Sequence, residues 1–534
     1  MQLCTHGAGR RPAYCLSSVL AVSFALCAMG CAGRDPHVLG DGSASAGGHG
    51  GNAAEGNSNT GGAGGVLGYD ELEPDSGISA GETEFVNAAL PISTEGLRPG
   101  RRFREILGLG TKFAQGEPQG DLSIVTDLGA RWVRDTVDWN VMEPQAGQYV
   151  DFPAPFLERL EYYRAHDIGV VYLLAYDAYT AYPATASNPT AGFDPVAFGN
   201  YAVEAAKRLR NAGVRFVLEM WNEPHNMVLR PVLGGAWNGV APSPWVDHYL
   251  NMVREAVARV KAYDSSIQLI TDDDMWVLHY WFLEGGLPRE VDGFGFHPYV
   301  QGYPERAAID ENTDWMAPFI GVDADGSFTS AVRRLREQGL QKLGKTPSMW
   351  ITEWGWPVEQ ATSSGAVFTE DTVAAWLPRA FILAEASGAE NMCWFSMQDC
   401  VDGPMGLTAN DGTRRKAYWA FKTLSTTIGD YYYLGQVAGS RSQTSGAQAY
   451  LFRRESSAKL VAWSIEPSLA WLKLDGQLRQ AKVTDTYGQP VQASIGSNGA
   501  SYVPLGPAPL YLDFTLQTRA PNLRVVARTG STPP

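Results

Sequence analysis

Two glutamates stand where residue type and spacing could do chemistry. Glu223 closes the run Val214-Arg215-Phe216-Val217-Leu218-Glu219-Met220-Trp221-Asn222-Glu223-Pro224. The first half of that run is short, apolar and β-branched, as in a parallel strand buried on both faces. Pro224 cannot continue a central strand, because it lacks the N–H that the ladder needs. Glu223 therefore sits at the strand mouth. Glu353 repeats the design in Pro347-Ser348-Met349-Trp350-Ile351-Thr352-Glu353-Trp354-Gly355-Trp356-Pro357. Again a short apolar run ends in a carboxylate, then aromatics, then Gly and Pro. Two carboxyls facing each other across a cleft are what glycoside hydrolysis needs. One protonates the leaving oxygen, and the other attacks the sugar or activates water.

The elements that must position this pair can be read in order. Strand candidates are Ile106–Gly110, Trp132–Asp135, Val170–Ala175, the Glu223 strand, Ile267–Thr271, Val291–Tyr299, the Glu353 strand and Asn391–Ser396. Helical patterns separate them, among them Leu122–Leu128, Pro155–His166 and Pro195–Ala212. Strict alternation of strand and helix implies parallel strands and an α/β fold. Eight such units suit a closed (β/α)₈ TIM barrel, whose strand mouths share one face. The rival is a doubly wound open sheet, but no Gly-x-Gly-x-x-Gly follows the first strand. Beyond Tyr418-Trp419-Ala420-Phe421-Lys422 the pattern changes to short alternating runs, such as Ala449–Phe452, Lys459–Trp463, Ala481–Thr484 and Pro509–Leu512. These predict a small antiparallel β-sandwich.

The expected organisation is thus a signal segment over 1–31, a Gly/Ala/Ser-rich linker over 32–84 and a barrel over 85–428. A β-sandwich over 429–518 and a loose tail over 519–534 complete it. Arg10 and Arg11 precede an apolar stretch from Leu16 to Met29 that reads as an export signal. Its end, Leu26-Cys27-Ala28-Met29-Gly30-Cys31, resembles a bacterial lipobox, with Cys31 as the lipidated first residue; the alternative is an ordinary secretory peptide. Either implies an extracellular or cell-surface protein of a bacterium, touching a membrane only through an anchor at Cys31. Of the six cysteines, Cys393 and Cys400 lie in the folded part, and an oxidising compartment would allow them to bridge. The net charge of −15 argues against a nucleic-acid partner. No Cys/His spacing resembles a zinc site, and no cofactor is called for. Asp272-Asp273-Asp274 lacks the spaced ligands of a calcium loop and reads as a solvated loop.

Several of these motifs together resemble clan A glycoside hydrolases, family 39 first and family 5 next. Glu219-Met220-Trp221-Asn222-Glu223-Pro224 looks like the clan's Glu-x-Trp-Asn-Glu-Pro. Ile351–Trp356 looks like its nucleophile strand, and Gly129–Arg134 with Trp139…Glu143-Pro144 like its second strand and loop. The resemblance spans roughly residues 100–428 and implies a retaining glycosidase with Glu223 as general acid/base and Glu353 as nucleophile. It further implies Asn222 on the sugar hydroxyl next to the anomeric carbon, Arg134 beside Glu353, and His297 and Tyr299 as binding residues. Trp394 would form an aromatic floor. Many family 5 enzymes carry a His near the end of the third strand, where this chain has Ala175-Tyr176-Asp177, so family 5 substrate rules do not transfer. The residues themselves add that Glu219 shares strand parity with Glu223 and would pair with a basic group inside the barrel. Tyr176, Tyr179, Tyr182, Trp237 and Trp245 are candidates for outer subsites. The partner expected is a polysaccharide or oligosaccharide, and the chain is expected to be a monomer. The competing readings are a non-catalytic surface glycan-binding protein on the same barrel and a surface lipoprotein whose sandwich does the binding.

Overall fold

A computed structural model describes residues 98, 100–236, 242–274, 276–307, 323, 326–362, 365–437, 446–465 and 470–516, together with the backbone of 82–86 and 524–529. The signal segment, nearly all of the linker, and Trp237 lie outside the described residues. Eight parallel strands close into a barrel in chain order. They are β2 (Leu107–Gly110), β3 (Trp132–Asp135), β4 (Gly169–Leu174), β5 (Phe216–Met220), β6 (Leu269–Thr271), β7 (Gly293–Phe296), β8 (Ser348–Trp354) and β9 (Asn391–Trp394). Helices run between them, and the two longest, Pro195–Ala212 and Pro244–Tyr263, pack side by side. The first of these shows how local sequence sets an element. Asp194 Oδ1 accepts from the Val196 and Ala197 N–H groups at 2.9 and 3.0 Å, Pro195 fills the first turn, and Gly213 ends the helix at φ 69°. Among the described residues no helix is long and apolar enough to cross a membrane.

Side chains inside the barrel form layers. The lower layer is apolar: Trp132, Val171, Val217, Ile270, Trp350 and Cys393. Trp132 and Trp350 meet edge to face at 5.1 Å. Gly169 makes room for this, since a Cβ there would lie 2.5 Å from the Trp132 ring. One step toward the C-terminal mouth the same strands carry Arg134, Glu219 and Thr352, all buried, so the layer above is polar. The larger apolar core lies outside the strands, against the helices.

The C-terminal strands form two five-stranded antiparallel sheets. One joins β10 (Tyr432–Gln436), β11 (Ala447–Arg454), β12 (Ser457–Ser464), β17 (Leu510–Thr515) and β14 (Lys482–Thr484). The other joins β1 (Glu82–Val86), β18 (Arg524–Thr529), β13 (Ala470–Lys473), β16 (Ser501–Leu505) and β15 (Ser494–Ile495). Leu451, Leu460 and Leu512 of the first sheet share a cluster with Leu472 and Val503 of the second.

Two expected boundaries change. The 519–534 tail contains β18, and β1 straddles the end of the 32–84 linker, so residues 85 and 86 belong to the C-terminal sheets and not to the barrel. The two strands pair antiparallel, Glu82 opposite Arg528 and Val86 opposite Arg524. A strand whose partner lies at the other end of the chain leaves little local signature. Cys393 and Cys400 are both free thiols. Cys393 faces the barrel interior, where Asn391 Oδ1 accepts from its Sγ at 3.1 Å, while Cys400 sits in the loop beyond.

Candidate active site

Arg134 is the centre of the polar layer. Its side chain rises from β3 with three acceptors around one guanidinium. Nε donates to Glu219 Oε2 at 2.6 Å, Nη2 to Asn222 Oδ1 at 2.7 Å, and Nη1 to Glu353 Oε1. Glu219 is wholly buried and meets the basic partner that its strand parity called for. Gly295 on β7 leaves space for it, because a Cβ there would stand 3.3 Å from both Glu219 Oε1 and Asp272 Oδ1.

The two glutamates reach the mouth by different backbone devices. On β8, strict alternation from the interior Trp350 would turn Thr352 and Trp354 inward and Glu353 outward. The register against β9 slips by one residue between Ile351 and Trp354. This bulge re-aims the strand, so Glu353 faces the mouth and Trp354 packs outside against Phe328 and Trp356. After β5 the chain turns through two left-handed residues, Trp221 at φ 71° and Glu223 at φ 43°. Neither is glycine, and such backbone costs about 1–3 kcal/mol per residue. The turn throws Trp221 into the outer core, where its indole donates to Met227 O at 3.1 Å. It leaves Asn222 and Glu223 facing the mouth.

The Asp272–Asp274 run holds that turn. Asp272 and Asp273 are fully buried and Asp274 is half-buried, contrary to the solvated loop expected. Asp272 Oδ2 accepts from the Glu223 N–H at 3.0 Å, and Asp272 Oδ1 accepts from Thr352 Oγ1 at 3.1 Å. His225 Nδ1 lies 2.6 Å from Asp273 Oδ1 and 2.9 Å from Asp274 Oδ1, and Asn226 Nδ2 donates to Asp274 Oδ2 at 2.8 Å. Burial disfavours a charged His225, but the two aspartates outweigh it and hold the imidazole well above its usual range.

His297 and Tyr299 follow β7 into the gap between the glutamates. His297 Nδ1 is 2.8 Å from Glu223 Oε1 and 3.7 Å from Glu353 Oε2, and its Nε2 is 3.3 Å from Asp272 Oδ1. Tyr299 Oη donates to Glu353 Oε2 at 2.9 Å. Carboxylate oxygens of Glu223 and Glu353 lie within 4.8 Å of each other, with His297 inside the same radius. These two carboxyls have opposite proton affinities. Burial raises that of Glu223, and the charges of Asp274 and Glu353 add to it against the His297 hydrogen bond. Burial also opposes ionisation of Glu353, but His297, Arg134 and Lys112 overcome it and bring the carboxyl down to about 2. His297 itself is driven down by burial and back up to about 10 by Asp272, Glu353 and Glu223. Each of the acidic residues around these groups meets at least one protein donor, Glu219 through Arg134, Asp272 through the Glu223 N–H and Thr352, and Asp274 through Asn226.

Of the residues expected at the site, Glu223, Glu353, Arg134, Asn222, His297 and Tyr299 converge. Trp394 does not. Its neighbour Cys393 faces inward, so Trp394 faces outward, fully buried 5.9 Å from the Trp356 ring. The aromatic at the mouth is Phe395, whose ring centre stands 6.3 Å from that of Tyr299 and 4.2 Å from Lys112 Nζ. The period-2 count from an interior cysteine would have found it. Among the candidates for outer subsites, Trp245 is core and Tyr182 donates to the buried Glu143 at 2.6 Å. Tyr179 packs on Phe193. Tyr176 is half-buried beside Trp221, where burial, with the charges of Glu353 and Glu223 against that of Arg134, raises its hydroxyl above the ordinary range.

No family model and no curated protein matches this sequence. Among solved structures, a family 39 glycoside hydrolase from the gut symbiont Bacteroides cellulosilyticus WH2 is similar at 18% identity, with a TM-score of 0.62 over 79% of this chain and 82% of that one. The GH39 enzyme from Xanthomonas axonopodis pv. citri aligns at 14% identity and a TM-score of 0.48, over 80% of this chain and 96% of that one. A GH30 endoxylanase from Clostridium papyrosolvens C71 aligns at 11% identity and 0.48, over 78% and 97%. At such identities the likeness is one of fold, and by it the chain adopts the fold of the Bacteroides family 39 structure.

Proposed function

We propose that the chain is a retaining glycoside hydrolase acting on a polysaccharide or oligosaccharide. The observation that carries this reading is a carboxyl pair within 4.8 Å whose members are biased to opposite protonation states. Retention needs carboxyls about 5–5.5 Å apart, whereas inversion needs about 6.5–9.5 Å to admit a water. In the first step Glu353 attacks the anomeric carbon as the bond to the leaving oxygen breaks, and Glu223 gives its proton to that oxygen. The product is a glycosyl ester on Glu353. In the second step Glu223, now ionised, takes a proton from water; the oxygen attacks the same carbon and releases Glu353.

The surrounding residues suit these roles. Arg134 and Tyr299 hold both oxygens of Glu353, which fixes its direction of attack. Arg134 occupies Asn222 Oδ1, so the amide presents its NH₂ for a sugar hydroxyl beside the anomeric carbon. Charged His297 stabilises the Glu223 anion that the first step leaves behind. Both glutamates come from one chain, so a monomer suffices. Export and tethering through Cys31 complete the proposal for its place at the bacterial surface.

The test is hydrolysis of a panel of polysaccharides and aryl glycosides by residues 82–534, with Glu353→Gln as control. Sugar release that vanishes in the variant supports the reading. Retention on a glycan by both proteins without hydrolysis would favour the glycan-binding alternative.

A further inference from the structure

One charged pair at the mouth is used by none of the steps above. Lys112 follows β2 and Asp402 follows β9, strands that are neighbours where the barrel closes. Lys112 Nζ stands 3.2 Å from Asp402 Oδ2 and 4.2 Å from the centre of the Phe395 ring. Phe395 packs on Tyr299, whose hydroxyl holds Glu353. The pair is therefore part of the wall beside the attacking carboxylate, and the Lys112 charge is among those that keep Glu353 ionised. Both side chains remain accessible, at 16% and 26% exposure.

The loops fix the two groups in place. The Lys112 N–H donates to Glu117 Oε2 at 2.8 Å, and its carbonyl accepts from Gln115 and Glu117. Asp402 lies in the turn closed by the Gly403 N–H on Cys400 O at 3.0 Å, and Cys400 Sγ lies 3.3 Å from Asp402 Oδ2. Among the described residues the contacts of the Asp402 carboxylate run through Oδ2, and the Lys112 ammonium has Asp402 as its ion-pair partner. The second carboxylate oxygen thus stands next to the remaining ammonium donors.

Position decides what they would meet. Glu223 and its Asp272 support follow β5 and β6, across the barrel from β2 and β9. The leaving group departs on the Glu223 side. The edge of the sugar remote from its anomeric carbon then faces Lys112 and Asp402. We infer that Lys112 and Asp402 are specificity-determining residues that bind two adjacent free hydroxyls on the remote edge of a neutral sugar. Lys112 donates to one oxygen, and Asp402 Oδ1 accepts from the other, while the ring lies along Phe395. A uronate is disfavoured, because Asp402 already neutralises Lys112 and would face the substrate carboxylate. This inference rests on the glycosidase reading and names the sugar class for it.

The experiment uses the aryl glycoside that wild type hydrolyses fastest, its 3-deoxy and 4-deoxy analogues, and the matching aryl uronide. They are assayed with wild type, Asp402→Asn and Lys112→Met. Removing a partner of a buried sugar hydroxyl costs on the order of 10- to 100-fold in kcat/KM. We expect that loss for each variant on the parent, and a comparable loss for wild type on each deoxy analogue. Each variant should show less than about 3-fold further loss on the analogue that lacks its own hydroxyl, since the contact is already gone. Equal losses on the parent and both analogues would show a merely structural role and overturn the inference. So would variants within about 2-fold of wild type on the parent, or faster hydrolysis of the uronide than of the neutral sugar. If wild type hydrolyses no glycoside, the glycosidase reading itself fails and takes this inference with it.

Discussion

Arg134 donates from one guanidinium to Glu353 and to Asn222, so the attacking carboxylate and the amide beside it share one anchor. A third donation, to Glu219, fixes the anchor from below. A planar fork can serve three acceptors; an ammonium cannot do so in the same plane. We predict that Arg134→Lys lowers kcat by about 100-fold or more while KM changes less. Steady-state kinetics on an aryl glycoside, with a thermal melt to confirm folding, checks this.

The opposite biases of the glutamates set a pH profile. Glu353 must be ionised, and its carboxyl is held down to about 2, so the acid limb lies below the ordinary glutamate range. Glu223 must be protonated, and its affinity is raised, so the basic limb lies above that range. The His297 charge lowers both carboxyls. His297→Asn removes that charge, so both limbs of kcat/KM should move to higher pH. A shift of the limbs in opposite directions would contradict the assignment of His297 as the cation between them.

Phe395 and Trp394 should separate function from packing. Trp394→Ala empties part of the outer core and should cost about 3–5 kcal/mol of stability, with KM unchanged in the folded fraction. Phe395→Leu removes the ring that faces Lys112 and Tyr299, and should raise KM several-fold with a smaller effect on stability. Chemical denaturation and kinetics on both variants decide the matter.

A buried ion pair ties the barrel to the C-terminal sheets. Glu305 lies nine residues' reach beyond β7 in its loop, Arg379 on helix Glu370–Ala386, and both are essentially inaccessible. Arg379 Nε and the Trp463 indole donate to Glu305 Oε1 at 2.9 and 2.8 Å, and Arg379 Nη1 donates to Pro507 O at 3.1 Å. Glu305→Ala leaves a buried cation unpaired and should destabilise the chain by about 3–5 kcal/mol. Glu305→Leu with Arg379→Met should cost less than Glu305→Ala alone, because no charge is stranded. Urea unfolding of the three proteins tests this.

What the sequence made legible follows physical range. Parallel strands buried on both faces leave dense apolar runs, so the eight strand segments stood out, and helices such as Leu122–Leu128 and Pro195–Ala212 appear where their pattern placed them. The mouth position of Glu223 and Glu353 followed from the Pro and Gly that break their strands. The devices that aim them did not show. A one-residue bulge in β8 and two left-handed residues after β5 depend on register and tertiary packing, which no local composition records. The same blindness hid the role of Asp272–Asp274, whose partners His225 and Glu223 lie far upstream. Phe395 was missed for a simpler reason: Trp394 is the larger aromatic, but strand alternation turns it away.

The most direct test of the central claim is to incubate the protein with an activated aryl 2-deoxy-2-fluoro glycoside of its preferred sugar and weigh it. A double displacement through Glu353 predicts a mass gain of one fluoroglycosyl unit, on the peptide that contains Glu353, and none in Glu353→Gln. Turnover by wild type with no trapped adduct and with inverted product, or an adduct on another residue, would contradict it.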